Sequence, residues 1–196
     1  MKFDGVDDYA SLSTLPGSPE ATITGWMQWH QFNYASRFFD FGILNYSINV
    51  FNFYSNNELV YSLHFGGGGE VISTGFYLQP DTWYYISMIV SNYSGVKLYL
   101  NGALLAQKPS LTQSLNNIEP LSNYFLGKSN YPDDALLNGV IDEVRIYNRA
   151  LSASEILQLY NLQETTDTDN DGIPDYIDNC PTISNPDQAD FKLPPN

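Results

Sequence analysis

The stretch of sequence with the most distinctive chemistry is an acidic segment near the C-terminal end, residues 167–178. It reads D-T-D-N-D-G-I-P-D-Y-I-D, so aspartate occupies positions 1, 3, 5, 9 and 12 and glycine occupies position 6. Ca²⁺ prefers six to eight oxygen ligands, and carboxylates at alternating positions converge on one ion if the backbone turns sharply after the fifth residue. Gly172 permits that turn. We therefore predict a Ca²⁺ site with five carboxylates and one backbone carbonyl, from Asp167, Asp169, Asp171, Ile173, Asp175 and Asp178.

The ligands of this segment play different parts. The carbonyl of Ile173 is the backbone ligand, and Asp178 completes the coordination shell of the ion. Asp175 binds the ion either directly or through a water molecule. The competing interpretation is a disordered acidic linker. Pro174 inside the segment and Pro181 shortly after it exclude the exit helix of an EF-hand.

A wider pattern surrounds the acidic segment. Residues 167–190 read D-x-D-x-D-G-x-x-D-x-x-D-N-C-P-x-x-x-N-P-D-Q-x-D, which closely resembles a thrombospondin type 3 repeat. The resemblance implies bound Ca²⁺ and disulfides between neighbouring repeats. Asp187 and Asp190 resemble the opening of a next unit, but residues 191–196 depart from the pattern. The single cysteine, Cys180, is then either a tolerated free thiol or half of a disulfide whose partner lies beyond the end of the sequence.

The charge of the chain limits its partners. The net charge is −14, and half of it lies in residues 164–196, where eight acidic residues accompany one lysine. Such a chain is repelled by nucleic acid and by anionic membranes, and it would hold a heavily sulfated ligand poorly without bound Ca²⁺. No apolar run reaches the roughly 18 residues of a membrane span. No signal peptide precedes the first strand-like residues, so we expect that an export signal was removed and that Met1 is an added start.

A larger unit with the pattern of β-strands precedes the acidic segment. Three runs have strand character, at residues 21–29, 83–90 and 96–100. Residues 91–95 are predicted to form a hairpin loop, and Asn101 with Gly102 is a strong tight-turn signal. The four glycines at 66–69 predict a further loop. Strand-like runs separated by turns predict an all-β sandwich or jelly roll.

One short helix is predicted after the strands. Ser152 and Glu155 match the S-x-x-E capping box. Ile156 and Leu159 follow at a spacing that would pack them on the sandwich. We expect this helix to end near Asn161.

Four pieces of the larger unit stand in a characteristic order. They read F-D-G-V-D-D-Y at 3–9, T-I-T-G-W at 22–26, W-Y-Y with V-K-L-Y-L-N-G at 83–102, and G-V-I-D-E-V-R-I-Y-N-R-A-L at 139–151. Together they resemble the laminin-G-like, concanavalin-like lectin/glucanase superfamily over nearly all of residues 1–162. The resemblance implies a jelly roll of two antiparallel sheets with adjacent first and last strands. The predicted domains are this sandwich at 1–162 and a partial calcium repeat at 163–196, which opens with a polar linker at 163–166.

The same resemblance implies a second calcium site. Adjacent first and last strands would bring Asp4 and Asp142 near each other, and relatives often hold a structural Ca²⁺ there. The alternative is that these carboxylates cap turns and form a salt bridge to Arg145.

Catalytic signatures are absent from the sequence. Glycosidases among the relatives place an E-x-D-x-(x)-E set on one concave strand, so that its carboxylates point into the cleft. The glutamates at 20, 58, 70, 119, 143 and 155 lack that spacing, and the sequence has no nucleophile elbow, zinc-protease motif or P-loop. Only His30 and His64 could serve as a near-neutral base, and a lone histidine in a sheet is more often a packing residue. The adjacent aspartates at 7 and 8 and at 133 and 134 are interpreted as solvated loop charge.

Sugar recognition needs flat aromatic faces for the C–H side of the ring and planar polar groups for its hydroxyls, and residues 29–64 are rich in both. The predicted ligand-binding residues are Trp29, His30, Tyr34, Arg37, Asn49, Tyr54 and His64. Further candidates are Asn45, Tyr46 and Asn52. The competing interpretation is that most of these aromatic residues pack in the core.

The predicted function is that of a non-catalytic carbohydrate-binding module, stabilised by Ca²⁺, in a secreted multidomain bacterial enzyme that degrades polysaccharides. The module would bind a polysaccharide or oligosaccharide, neutral or weakly charged because the chain has few basic residues. It would be covalently linked to neighbouring domains. The alternative is a calcium-dependent adhesion or protein-interaction domain of a bacterial surface protein, since laminin-G-like folds serve both uses. A hydrolase that lacks the usual catalytic set is a weaker third interpretation.

Overall fold

The computed structural model describes residues 1–12, 18–44, 46–65, 69–111, 123–165, 167–175 and 178–187. Within them, twelve strands form two antiparallel six-stranded sheets, which confirms the predicted jelly-roll sandwich. Sheet A consists, from edge to edge, of β1 (Lys2–Asp4), β12 (Asn138–Tyr147), β3 (Glu20–Gln31), β8 (Trp83–Ser91), β9 (Gly95–Leu100) and β10 (Ala103–Lys108). Sheet B consists of β2 (Ala10–Leu12), β11 (Tyr124–Leu126), β4 (Arg37–Ile43), β5 (Tyr46–Asn52), β6 (Glu58–Phe65) and β7 (Gly69–Tyr77).

The core lies between the sheets because alternate side chains of each strand point toward it. In β3, Ile23 and Met27 belong to this core. Trp26 lies on the opposite side of the sheet, where its ring contacts that of Tyr160 with the centroids 5.8 Å apart. At this position both sides of sheet A are therefore buried.

The helix α1 (Ala153–Thr165) covers the outer side of sheet A. The Ser152 hydroxyl accepts a hydrogen bond from the Glu155 amide at 3.2 Å, and the Glu155 carboxylate accepts one from the Ser152 amide at 2.8 Å. The predicted capping box is thus confirmed. Ile156 is fully buried in a small cluster to which Leu159 adds partly buried surface.

The end of this helix differs from the prediction. It ends at Thr165, four residues beyond Asn161. Leucine, glutamine and glutamate follow Asn161, and they are good helix formers with no proline or glycine among them. Residues 163–165, predicted as a linker, are therefore helical.

The predicted hairpins are present. Ser91 pairs with Gly95 across the β8–β9 turn. Asn101 and Gly102 join β9 to β10 with φ values of 50° and 77°, a conformation that favours these two residue types. Of the four glycines at 66–69, Gly69 begins β7 and the other three lie outside the described residues. Within the part of the chain that the structure describes, no helix is long and apolar enough to cross a membrane.

Candidate functional site

The outer face of sheet B carries three of the predicted binding residues, Arg37, Asn49 and His64. Two rows of side chains cross the strands on this face, because cross-strand partners lie side by side. The first row is Arg37, Phe51, Val60 and Ser73. The second row is Phe125, Asp40, Asn49, Ser62 and Val71.

A loop at residues 128–134 covers the middle of this outer face. The Asp40 carboxylate is fully buried and accepts hydrogen bonds from the amide of Asn130 at 3.1 Å and from its side-chain nitrogen at 3.0 Å. The ring of Tyr131 lies 5.9 Å from that of His64, and its hydroxyl donates to the carbonyl of Leu44 at 2.8 Å. Asp40 and His64 therefore lie beneath the loop.

Arg37 lies beneath the same loop, where its guanidinium makes contacts within the protein. Its guanidinium donates to Asp134 at 2.6 Å and to the carbonyl of Ala35 at 2.9 Å, and it lies 4.0 Å from the centre of the Phe51 ring. The side chain is buried, so the structure does not present this predicted ligand residue at the surface. Asp134, which was interpreted as solvated loop charge, is instead the ion-pair partner of Arg37.

Two further predicted ligand residues are buried. Trp29 belongs to the core, and its indole N–H donates to the hydroxyl of Ser36 at 3.2 Å. Asn49 is fully buried and accepts a hydrogen bond from Ser62 at 2.6 Å. Asn45 lies outside the described residues.

The two predicted histidines occupy different surroundings. His30 is exposed, with Nδ1 2.5 Å from the carboxylate of Asp81. His64 is half-buried, and burial lowers its pKa below the usual 6.5, partly opposed by the nearby charge of Asp40. At neutral pH His64 is therefore an uncharged packing residue of the outer face.

Tyr34 and Tyr54 form an exposed aromatic pair at one end of the sandwich. Their rings are 5.1 Å apart between centroids, and the residues are 46% and 49% exposed. Tyr34 lies in the loop between β3 and β4, and Tyr54 lies in the loop between β5 and β6. Two loops separated in sequence thus present one aromatic surface, which we call the tyrosine platform.

The buried side chain of Asn52 joins these two loops. Its amide nitrogen lies 2.9 Å from the carbonyl of Asn33, 2.6 Å from that of Tyr54 and 3.1 Å from that of Asn56. Its oxygen accepts a hydrogen bond from Ser36 at 2.6 Å. Asn52, a predicted sugar contact, is therefore a residue that positions the platform.

A pocket of about 150 Å³ adjoins the platform. Its lining residues are Phe53, Glu58, Val60, Val71 and Ser73. The rings of Phe53 and Tyr54 are 4.5 Å apart, so an aromatic surface continues from the platform to the pocket. Sequence reasoning missed this pocket, although the alternation of Glu58, Val60 and Ser62 was visible in β6.

The predicted calcium site of Asp4 and Asp142 is not formed. The first and last strands do pair, but Asp4 lies opposite Asn138 in the register. Asp142 is four residues further along β12, about 13 Å at ~3.3 Å per residue. Asp4 instead caps a turn by accepting a hydrogen bond from the Val6 amide at 2.7 Å, as the alternative expected, whereas Arg145 pairs with Glu143.

Three exposed aspartates gather near β1. Asp4, Asp7 and Asp8 each place one carboxylate oxygen within 4.8 Å of the others. Asp7 and Asp8 were interpreted as loop charge, and they are exposed.

The acidic segment folds as a compact turn around three carboxylates. Asp167, Asp169 and Asp171 each offer one oxygen, and these oxygens lie within 4.8 Å of one another. Gly172 has a φ of 93°, and its amide donates to the Asp167 carboxylate at 2.9 Å. The Asp171 amide donates to the same carboxylate at 3.1 Å. The sharp turn expected at Gly172 is thus present.

The oxygens of this turn fit a cation. Oδ2 of Asp169 is buried, and no hydrogen bond to it is formed by the described residues. Burial, and next the charge of Asp171, raises the pKa of Asp169 above its usual value. Three close carboxylates and a buried oxygen without a donor are the environment that a bound Ca²⁺ would complete.

The remaining predicted ligands lie around this turn. Asp175 accepts hydrogen bonds from the amide and the hydroxyl of Thr168, at 2.7 and 2.6 Å. Asp178 is buried and accepts one from the amide of Cys180 at 2.8 Å. The amide of Asn185, which sequence reasoning did not single out, donates to Asp171 at 2.7 Å and closes the turn from downstream.

Comparisons with known proteins agree with this geometry. Residues 4–157 match the family model described as the concanavalin A-like lectin/glucanases superfamily. The chain belongs to this superfamily. Residues 165–188 match the thrombospondin type 3 repeat, a calcium-binding type of repeat. Both predicted resemblances are confirmed. No curated protein sequence matches the chain.

Several solved structures share the fold. Domain 4 of AbnA, a GH43 extracellular arabinanase from Geobacillus stearothermophilus in complex with arabinotriose, has a TM-score of 0.70 at 20% identity, covering 81% of this chain and 75% of that one. The CBM40 of the Ruminococcus gnavus IT-sialidase, bound to α2,3-sialyllactose, has a TM-score of 0.61 at 14% identity, covering 72% and 82%. A heptameric SAP-like pentraxin from Limulus polyphemus has a TM-score of 0.59 at 15% identity, covering 81% and 80%. At these identities the likeness concerns the fold, which is lectin-like.

Proposed function

We propose that the chain is a non-catalytic carbohydrate-binding module whose site is the tyrosine platform and the adjoining pocket. The observation that carries the proposal is the exposed, ring-contacting pair of Tyr34 and Tyr54. An aromatic face attracts the C–H side of a sugar ring, and nearby polar groups are available to its hydroxyls.

The rigidity of the platform supports this role. Asn52 ties both loops by buried hydrogen bonds, and the Ala35 amide donates to the Tyr54 carbonyl at 2.9 Å. Loops that are ordered before binding lose less conformational entropy when a ligand arrives, so more of the contact energy appears as affinity.

The neighbours in fold support a sugar as the ligand. The arabinanase domain was solved with arabinotriose, and the sialidase module was solved with sialyllactose. Both belong to enzymes that act on glycans, so we assign this module to a secreted, multidomain polysaccharide-degrading enzyme. Four of the described glutamates have structural partners, which supports a binding role: Glu20 with Ser91, Glu70 with Lys108, Glu143 with Arg145 and Glu155 with Arg149.

The acidic segment would serve as a calcium-stabilised connection to a neighbouring domain. Asp167, Asp169 and Asp171 would hold Ca²⁺, with further oxygens from the Ile173 carbonyl, Asp175 and Asp178. When bound, the ion neutralises carboxylates that otherwise repel one another and so orders the segment. The family matches to residues 4–157 and 165–188 support a domain boundary near residue 162.

The test is a set of neutral plant and algal polysaccharides in affinity electrophoresis, with three tyrosine variants. Tyr34→Ala and Tyr54→Ala should each weaken binding about tenfold, because each removes one face of the platform. Tyr93→Ala is the matched control, since Tyr93 is 78% exposed in the β8–β9 turn of the other sheet, and it should bind as the wild type does.

Two results would contradict the proposal. The first is that the wild type, with Ca²⁺ present, binds none of the polymers, which would favour the protein-interaction alternative. The second is that the Tyr93 variant loses as much affinity as the platform variants.

A further inference from the structure

The pocket beside the tyrosine platform contains a buried carboxylate. Glu58 is 9% exposed, and it lies at the start of β6 where the β5–β6 loop ends. The Ser73 hydroxyl donates a hydrogen bond to its Oε1, and the Gly75 amide donates to the same oxygen at 3.1 Å. A buried carboxylate fixed by two donors on one strand has a defined orientation at the pocket wall.

The second oxygen of this carboxylate remains available. The hydrogen bonds that the described residues donate to this carboxylate reach Oε1, and none of their ion pairs includes Glu58. Glu58 lines the pocket, so its carboxylate can accept a hydrogen bond from a group that enters it. A carboxylate accepts a strong hydrogen bond from a hydroxyl group but repels another carboxylate, particularly where no basic side chain neutralises it.

The other walls of the pocket are apolar. Val60, Val71 and Phe53 supply apolar lining, and Val60 is buried whereas Val71 is exposed. A volume of about 150 Å³ is smaller than the ~300–1,000 Å³ of sites for larger ligands, so it admits one ring and not a chain. Phe53 contacts Tyr54, which places the platform where the next sugar units would follow.

We propose that Glu58 is the specificity-determining residue of this site. Its Oε2 accepts a hydrogen bond from a hydroxyl of one neutral sugar unit seated in the pocket, and its charge excludes sugar units that carry a carboxylate. This inference rests on the proposed function and names its ligand class: neutral glycans, with uronic acid polymers rejected.

The test is calorimetric titration of the full chain with two matched sets of probes. The neutral probes are arabinotriose, xylotriose, mannotriose and galactotriose, and the acidic probe is trigalacturonate, which differs from α-1,4-galactotriose only at C6. The wild type should bind at least one neutral probe at least tenfold more tightly than trigalacturonate.

Three variants distinguish the contribution of the pocket to binding from that of the platform. Glu58→Gln keeps the side-chain shape and an acceptor at Oε1, and it should bind the best neutral probe about tenfold more weakly while losing its discrimination against trigalacturonate. Val71→Phe fills the pocket from an exposed position and should abolish binding. Glu70→Gln makes the same charge change on the neighbouring strand and should leave affinity unchanged, and thermal melting of each variant checks that it folds.

The outcomes are distinguishable. If the wild type binds a neutral probe and the Tyr34 and Tyr54 variants lose it while Glu58→Gln and Val71→Phe bind normally, the pocket assignment is wrong, and carbohydrate binding at the tyrosine platform stands. If the wild type prefers trigalacturonate, the role of Glu58 is wrong. If the wild type binds no probe and no polysaccharide, the proposed function fails and this inference fails with it.

Discussion

Replacing Asn52 by alanine should destabilise the protein and weaken its sugar binding together. The Asn52 amide has two N–H groups directed at three backbone carbonyls, and its oxygen accepts from Ser36. The substitution therefore removes two donated bonds and one accepted bond in a fully buried position. At ~0.5–1.5 kcal/mol for each of the three bonds, the free energy of unfolding should fall by about 1.5–4.5 kcal/mol.

The assay is guanidinium unfolding followed by tryptophan fluorescence, with glycan affinity measured on the same samples. Asn148→Ala is the matched control, since Asn148 is exposed, and it should change the free energy of unfolding by less than about 0.5 kcal/mol. The affinity of Asn52→Ala should fall because Tyr34 and Tyr54 are no longer held together before the ligand arrives. Equal unfolding midpoints for the two variants would refute the view that Asn52 fixes the platform.

Two further predictions concern the acidic segment and the helix. Asp171→Asn should weaken Ca²⁺ binding about tenfold or more in calorimetric titration, whereas Asp133→Asn in an exposed loop should not, and equal affinities would exclude the turn as the site. Hydrogen bonds from Arg149 and Ser152 lower the pKa of Glu155 to about 2, so its contribution to stability is complete above pH ~4.5 and is lost as the pH falls toward 2. Urea unfolding across that pH range should show a weaker pH dependence in Glu155→Gln, and an unchanged dependence would contradict this assignment.

The acidic segment was predictable because its pattern is local. The ligands predicted at 167, 169 and 171 lie within five residues, so their spacing alone brings the carboxylates together once Gly172 turns the chain. Asp4 and Asp142 are separated by most of the chain. Their distance depends on the register between β1 and β12, which no local pattern encodes, and the register separates them.

The residue types of the binding face could be predicted from the sequence, but which of these side chains are exposed could not. Tyr34 and Tyr54 are exposed, as a sugar contact requires. Arg37 and Asn49 lie on the outer face of sheet B but are buried. The loop that covers them comes from residues 128–134, some 90 positions later in the sequence. Glu58 was passed over because it matched no catalytic spacing, and its importance depends on a pocket formed with β7.

The measurement that tests the central claim most directly is the NMR spectrum of the isotopically labelled chain during titration with the best-binding neutral oligosaccharide. The largest chemical-shift changes should occur at Tyr34, Phe53, Tyr54 and Val71, with little change in α1 or in the acidic segment. Changes centred on sheet A, on α1 or on residues 167–187 would contradict the assignment of the tyrosine platform and its pocket as the sugar site.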